Sequence, residues 1–294
     1  MNEEFRKIKL KKQLKKLSVL ISEHEKLNFV IANIGCRPVG SGPEPFEAIL
    51  ECFPGSQIIG FETDKDLCEK LNKEASSGYN FFYQALGQKN EKRNFYNTEN
   101  PMCSSLYQPN EKFIERYHAF EVMKLKNITQ IDTVSLDHFV LENQIEKIDL
   151  IKIDIQGAEL DVFKGGKNTL KTTLFIISEV EFNTMYINQP LFGDVHNFLI
   201  KENFMFNKFL GFHGRTIKPT IINNNMGFAG TQHIWSDAIF VKDLEKIKEL
   251  DDQQVLKLAF TSFLYSNPDM TSFCLSEYDL RRKTNLNIGY INIL

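Results

Sequence analysis

The stretch Ile148-Asp149-Leu150-Ile151-Lys152-Ile153-Asp154-Ile155-Gln156-Gly157-Ala158-Glu159-Leu160 changes character within a few residues. Leu150 to Ile153 is the short apolar run expected of a strand buried on both faces, and it delivers Asp154 to its carboxyl end. Gly157 permits a tight turn, and Glu159 falls in the first turn of the helix that follows, where the helix dipole favours its charge. An ordinary acidic helix start accounts for Glu159. It leaves Asp154, at the edge where such sheets bind ligands, without a purpose.

The same alternation runs outward in both directions. Phe29–Ala32, Gln57–Phe61, Phe81–Tyr83, Leu174–Ile177 and Trp235–Val241 read as strands. Segments near 44–52, 64–75, 135–143, 158–170, 190–201 and 243–264 read as helices. Strands alternating with helices specify βαβ units and a mostly parallel sheet covered on both faces, a Rossmann-like α/β fold. Residues 86–130 are polar, with turn signals at Glu99-Asn100-Pro101 and Gln108-Pro109-Asn110, and are expected to pass over the site rather than add a core unit. The expected organisation is an N-terminal helix over 1–27, the main domain over 28–242, and a helical extension with an uninformative tail over 243–294.

Two further strand ends carry chemistry. The first strand runs into Asn33-Ile34-Gly35-Cys36-Arg37-Pro38-Val39-Gly40-Ser41-Gly42, where missing side chains let the backbone approach a ligand. The spacing is neither the dinucleotide fingerprint nor a triphosphate loop, and a plain structural turn fits it equally. The second strand ends in Gly60-Phe61-Glu62-Thr63-Asp64. A carboxylate there accepts hydrogen bonds from both hydroxyls of a ribose, although helix capping by Thr63 or Asp64 is the plainer reading.

Composition narrows the class. The formal net charge of −3 provides no global attraction to nucleic acid, so no nucleic-acid partner is expected. Five cysteines, Cys36, Cys52, Cys68, Cys103 and Cys274, form no CxxC unit and suit free thiols in a reducing cytoplasm. The start of the chain has no apolar signal core, and no run reaches the ~18 apolar residues a membrane span needs. Residues 3–26 hold eight Lys/Arg against four Glu, with Leu10, Leu14, Leu17 and Ile21 at helical spacing. They read as a basic amphipathic helix that caps the domain, with a weak membrane-surface or protein contact as the alternative.

Taken in order, Asn33-Ile34-Gly35, Gly60-Phe61-Glu62, Ile131-Asp132-Thr133-Val134-Ser135-Leu136-Asp137, Ile151 to Glu159, Ser178-Glu179 and Trp235 to Val241 resemble the FkbM-type methyltransferases over roughly residues 28 to 242. The resemblance implies a seven-stranded sheet whose last strand is antiparallel, an S-adenosyl-L-methionine cofactor, and O-methylation of a hydroxyl on a sugar, glycan or secondary metabolite. It places Gly35 with its neighbours Asn33 and Cys36 at the methionine part of the cofactor, Glu62 and Thr63 at the ribose, and Gln84 and Ala85 at the adenine. Asp154 falls near the sulfonium and the acceptor. Asn33 stands where the family usually has Asp, and Gln156 where Glu is frequent.

Transfer from a sulfonium is an in-line displacement in which alignment supplies most of the catalysis, and a general base adds ~10²–10⁴-fold. Asp154 is the first choice for that base, followed by Glu179 and His213. The six histidines show no metal-ligand spacing, and no metal is assigned. A hard cation held by Asp154, Glu159 and Glu179 is the alternative. A catalytically inactive module that keeps the fold and binds a glycan or protein is the rival from another class. Oligomeric state and acceptor are not legible.

Overall fold

The computed structural model describes residues 3–38 and 42–294, with side chains from residue 8 onward. Its strands are β1 (Val30–Ile34), β2 (Gln57–Glu62), β3 (Tyr79–Tyr83), β4 (Ala85–Gly87), β5 (Glu91–Thr98), β6 (Leu125–Ser135), β7 (Leu150–Ile153), β8 (Phe175–Glu181), β9 (Phe204–Phe209) and β10 (Trp235–Lys242). Its helices are α1 (Glu3–Ser22), α2 (Ala48–Cys52), α3 (Lys65–Glu74), α4 (Glu111–Arg116), α5 (Leu136–Glu142), α6 (Glu159–Gly165), α7 (Lys167–Leu170), α8 (Phe192–Lys201), α9 (Asp252–Leu264), α10 (Pro268–Arg282) and α11 (Leu286–Ile291).

Seven strands form one sheet in the order β3-β2-β1-β7-β8-β10-β9. The pairs from β3 to β8 are parallel, and β10, the last strand, runs antiparallel to both neighbours. The order reverses at β1, which pairs β2 on one side and β7 on the other. That reversal opens a crevice at the carboxyl ends of β1 and β7.

The two-residue period of a strand divides the core. Ile58, Leu150 and Phe175 point into one cluster with Leu17, Phe260 and Leu275 of α1, α9 and α10. Their neighbours Ile59, Ile151 and Ile176 point into the other, with Leu160, Phe163 and Leu199 of α6 and α8. Helix α1 caps the first face: Leu14, Leu17 and Ile21 are buried, while Lys11, Lys12, Lys15 and Lys16 are exposed. No helix among the described residues is long and apolar enough to cross a membrane.

Three stretches depart from the sequence expectation. The helix expected over 158–170 divides into α6 and α7, because at Gly165 the chain lies against the backbone of β4, where a Cβ would collide with the Gly87 carbonyl. The polar stretch 86–130 crosses the site as expected, yet it supplies much of a second sheet of order β4-β6-β5, with α4 and irregular chain between β5 and β6. Long parts of β6 are exposed, so its strand character rests on the hydrogen-bond ladder and leaves no apolar alternation to read. The tail forms α10 and α11, whose Cys274, Leu275 and Tyr290 complete the first core cluster.

One buried ion pair ties this extension to the sheet. Lys257 Nζ of α9 lies 2.8 Å from both carboxylate oxygens of Asp149, at the start of β7, and both side chains are 2% exposed. Asp149 Oδ2 also accepts from Val30 N at 2.9 Å. Burial pulls the Lys257 pKa down, with Asp149 opposing it. Lys257→Met, which strands the carboxylate, should cost about 3–5 kcal/mol in denaturant unfolding. Pairing it with Asp149→Asn, which keeps an acceptor for Val30 N–H, should recover most of the loss.

Candidate active site

A cavity of about 400 Å³ lies at the carboxyl ends of β1, β2 and β7, within the range of small-molecule sites. Its floor depends on Gly35, where φ is +82°. A Cβ at this position would collide with the Asp154 carbonyl oxygen, so the turn after β1 can lie directly on the end of β7. The amides of Gly35 and Cys36 both donate to the Phe61 carbonyl, at 3.2 and 3.1 Å, and Asp154 N donates to the Ile34 carbonyl at 3.0 Å. Residues 39–41, including Gly40 and Ser41 of this turn, lie outside the described residues.

Glu62 ends β2 and is 5% exposed, lining the cavity rather than facing solvent. Its Oε1 accepts from the amides of Thr63 and Asp64 at 2.8 and 2.9 Å, and from Arg37 Nη2 at 3.4 Å. Oε2 has no partner among the described residues and is the atom left for a ligand. Asp64 is the helix cap, accepting from Leu67 N at 3.1 Å. That bond, together with the Arg37 guanidinium, holds its carboxyl below the ordinary range. Gln84 and Ala85 follow β3 at the far end. Phe61, Leu86, Phe95 and Leu106 supply apolar walls there, the last three from the excursion over the site.

Asp154 stands at the near end in a network of acids. Gln156 occupies the left-handed region at φ +59°, a strained position for a residue with a side chain, and Gly157 follows at +93°. The Gln156 amide holds the turn by donating to Asp154 Oδ1 at 2.9 Å and to Glu179 Oε2 at 2.7 Å. Its Oε1 lies 3.0 Å from Tyr186 Oη. Lys152 Nζ sits 3.7 Å from Asp154 Oδ2 and 3.1 Å from Asp237 Oδ1.

These neighbours separate the protonation states. Burial pushes the Asp154 pKa up. Lys152 and hydrogen bonds from Glu179, Gln156 and Lys152 outweigh it and hold the carboxyl below its ordinary value. The Asp154 side chain is also 37% exposed to the cavity, which favours the charged form. Glu179 and Glu181 go well above theirs, first through burial and then through the surrounding carboxylates. The network therefore favours negative charge on Asp154 over charge on Glu179 or Glu181.

A model described as the methyltransferase FkbM domain matches residues 30–212. The chain belongs to this family. Similar proteins include the 2-O-methyltransferase NoeI of Sinorhizobium fredii, 30% identical over 179 residues that make up 58% of this chain and 70% of that protein. The hexuronic acid methyltransferase AglP of Haloferax volcanii is 38% identical over 50 residues, 17% of this chain and 21% of its own. A crystal structure of a SAM-dependent methyltransferase from Aquifex aeolicus aligns over 78% of this chain and 91% of its own, with 8% identity and a TM-score of 0.30.

In this FkbM domain the cavity gathers Gly35, Glu62, Thr63, Gln84, Ala85 and Asp154. Glu179 reaches it through Gln156. Three other residues are not brought there. Asn33 pairs with Gly60 and Lys152 inside the sheet, and Cys36 is buried behind the turn, where burial and Glu62 push its thiol up to about 12. His213 is exposed and stacks on Trp235 with centroids 5.3 Å apart. The acids that cluster are Glu159, Glu179 and Glu181, with oxygens within 4.8 Å of one another, so Glu181 stands where Asp154 was expected. Sequence reasoning missed Arg37 and Tyr186. Arg37 could have been found as a cation beside the Gly35 turn; nothing near Tyr186 marks it.

Glu159 accepts from Ile155 N and Gly157 N at 2.8 and 3.3 Å, but burial dominates and raises its pKa to about 7. A carboxyl raised on folding favours the folded state while protonated. Its ionisation therefore erodes stability as pH climbs from about 4.5 to about 7. Glu159→Gln keeps the acceptor oxygen and removes the titration. Thermal melts across this window should show the wild type losing up to about 3 kcal/mol relative to the variant.

Proposed function

We propose that this chain binds S-adenosyl-L-methionine in the cavity at the β1, β2 and β7 ends and methylates a hydroxyl group of a sugar or glycan. The observation that carries the reading is the convergence on one cavity of a backbone-lined turn at Gly35, a buried acid with an unpaired oxygen at Glu62, and an ionised acid at Asp154. The donors fit the cofactor: Glu62 Oε2 suits a ribose hydroxyl, the segment at Gln84 and Ala85 with its apolar walls suits adenine, and the Gly35 turn leaves room for the methionine part. The names of NoeI and AglP, the latter a hexuronic acid methyltransferase, support a sugar hydroxyl as acceptor. Five cysteines without a disulfide support a cytoplasmic setting.

The bound cofactor supplies an activated methyl group. Glu62 holds the ribose, and the rigid Gly35 turn fixes the donor end against Asp154. Asp154 orients the acceptor hydroxyl through a carboxylate oxygen and takes its proton as the new bond forms. Gln156 fixes the Asp154 rotamer. Glu179, protonated, keeps the local charge at a single carboxylate.

Calorimetry with S-adenosylhomocysteine should show one site per chain; absence of heat and of any thermal shift would sink the cofactor reading. Glu62→Ala should weaken that binding by about 1.5–3 kcal/mol. Asp154→Asn is nearly isosteric, so cofactor affinity should persist. Methyl incorporation into a panel of free hexoses and uronic acids, read by mass spectrometry, should fall by about 10²-fold or more. If binding falls together with turnover, Asp154 positions the cofactor instead.

A further inference from the structure

On the sheet edge that carries Asp154 stands a cation that, among the described residues, no acid neutralises. Arg215 lies in the loop between β9 and β10, its guanidinium carbon 4.9 Å from the Trp235 ring centroid and 5.7 Å from that of Phe120. Its Nη1 donates to the Gly214 carbonyl at 2.8 Å, and its Nε is buried with no partner. The other part-buried arginines, Arg37, Arg93 and Arg281, each hold a carboxylate. Among the described residues, no carboxylate lies within ion-pair distance of Arg215. A half-buried charge with an orphaned donor is a cost that a partner normally offsets.

The loop holds this cation rigidly. At Gly214 a Cβ would collide with the Gln232 carbonyl, and at Gly230 with the carbonyl of Arg215 itself, so the two sides of the loop pack backbone to backbone. Thr216 Oγ1 donates to the Phe228 carbonyl at 3.1 Å, and His118 N to the Thr216 carbonyl at 3.0 Å. Trp235, on which the guanidinium lies, is the register partner of Glu181, two residues beyond the Glu179 and Asp237 pair. Arg215 therefore occupies the same sheet edge as Asp154. A chain of contacts leads from Cys103 to the Asp154 turn: its carbonyl accepts from Tyr186 Oη at 2.8 Å, and that hydroxyl reaches Gln156. Burial and Asp154 push the Cys103 thiol up to about 11 while Arg215 draws it down, so both charges act on it.

We infer that Arg215 is the anion-recognising residue of the acceptor subsite, and that the acceptor carries a carboxylate, sulfate or phosphate group which the free edge of the guanidinium grips while a hydroxyl is presented to Asp154. The planar fork of Arg matches these anions, and the aromatic planes on which it lies fix its direction. An anionic group also needs such a cation, because the Asp154 carboxylate would otherwise repel it. This inference rests on the methyl-transfer reading for its purpose and on the geometry of Arg215 for its existence.

The chain supplies its own reporter, since Trp235 is its one tryptophan. The full chain is titrated with glucuronic acid, glucose 6-sulfate, glucose 6-phosphate and neutral glucose at matched ionic strength, with tryptophan emission as the readout. At least one charged sugar should give a saturable change and glucose none, and the sugar that responds identifies the anion. Arg215→Met should weaken that response by about tenfold or more while S-adenosylhomocysteine binding stays unchanged. Silence with all three charged sugars, an equal response to glucose, or an unchanged response in folded Arg215→Met would overturn the assignment. Should the variant fail to fold, the charged-against-neutral comparison in the wild type decides alone. A saturable response without S-adenosylhomocysteine binding would keep the Arg215 subsite and sink the methyl-transfer reading.

Discussion

The contact between Gly35 and the Asp154 carbonyl is the constraint from which the site is built. Two neighbouring parallel strands end in loops that normally diverge, yet here the turn after β1 lies on the backbone at the end of β7. Only a residue without a Cβ and at ease with positive φ permits that approach. The contact brings the Phe61 carbonyl within reach of two turn amides and sets Glu62, the next residue, beside the same cavity. Two acids, Glu62 and Asp154, come to line one cavity because one side chain is missing.

Electrostatics does the second part of the organisation. Asp154, Glu159, Glu179 and Glu181 crowd the end of β7 and β8, and their charges cannot all coexist in a buried space. Lys152, anchored by Asp237, favours the charged form of Asp154, and the Gln156 amide ties that carboxylate to Glu179, whose pKa burial and Asp154 raise. Gln156 makes that double donation from a backbone in the left-handed region. Arg215 lies on the same sheet edge, a cation without a carboxylate partner among the described residues.

Core and site separate cleanly in this fold. One face of the sheet is closed by α1, α9, α10 and α11, with the Lys257 and Asp149 pair at the amino end of β7, where burial serves stability. The carboxyl edge is covered by polar strands and by an aromatic cluster of Phe113, Tyr117, Phe120 and Tyr186, where surfaces remain to recognise ligands. Loops carry recognition while a rigid scaffold fixes their ends.

How much of this was legible follows from what period and residue type encode. Strands buried on both faces announce themselves as apolar runs, so β1, β2, β7, β8 and β10 were readable, as was the seven-stranded sheet with its antiparallel last strand implied by the family resemblance. The glycine turn, Glu62 and Asp154 were readable because special residues ended those runs. The sheet of β4, β5 and β6 was not, since exposed strands carry no apolar alternation. Nor were the exclusion of Asn33, Cys36 and His213 from the cavity, the substitution of Glu181 in the acid cluster, and the isolation of Arg215. Each depends on which side chains from distant segments meet, and burial, proton sharing and the absence of a partner are properties of that meeting. The sequence by itself determined the scaffold and the strand ends where chemistry sits. The tertiary structure decided which of those residues touch, and with what charge, because both are set by neighbours that no local pattern names.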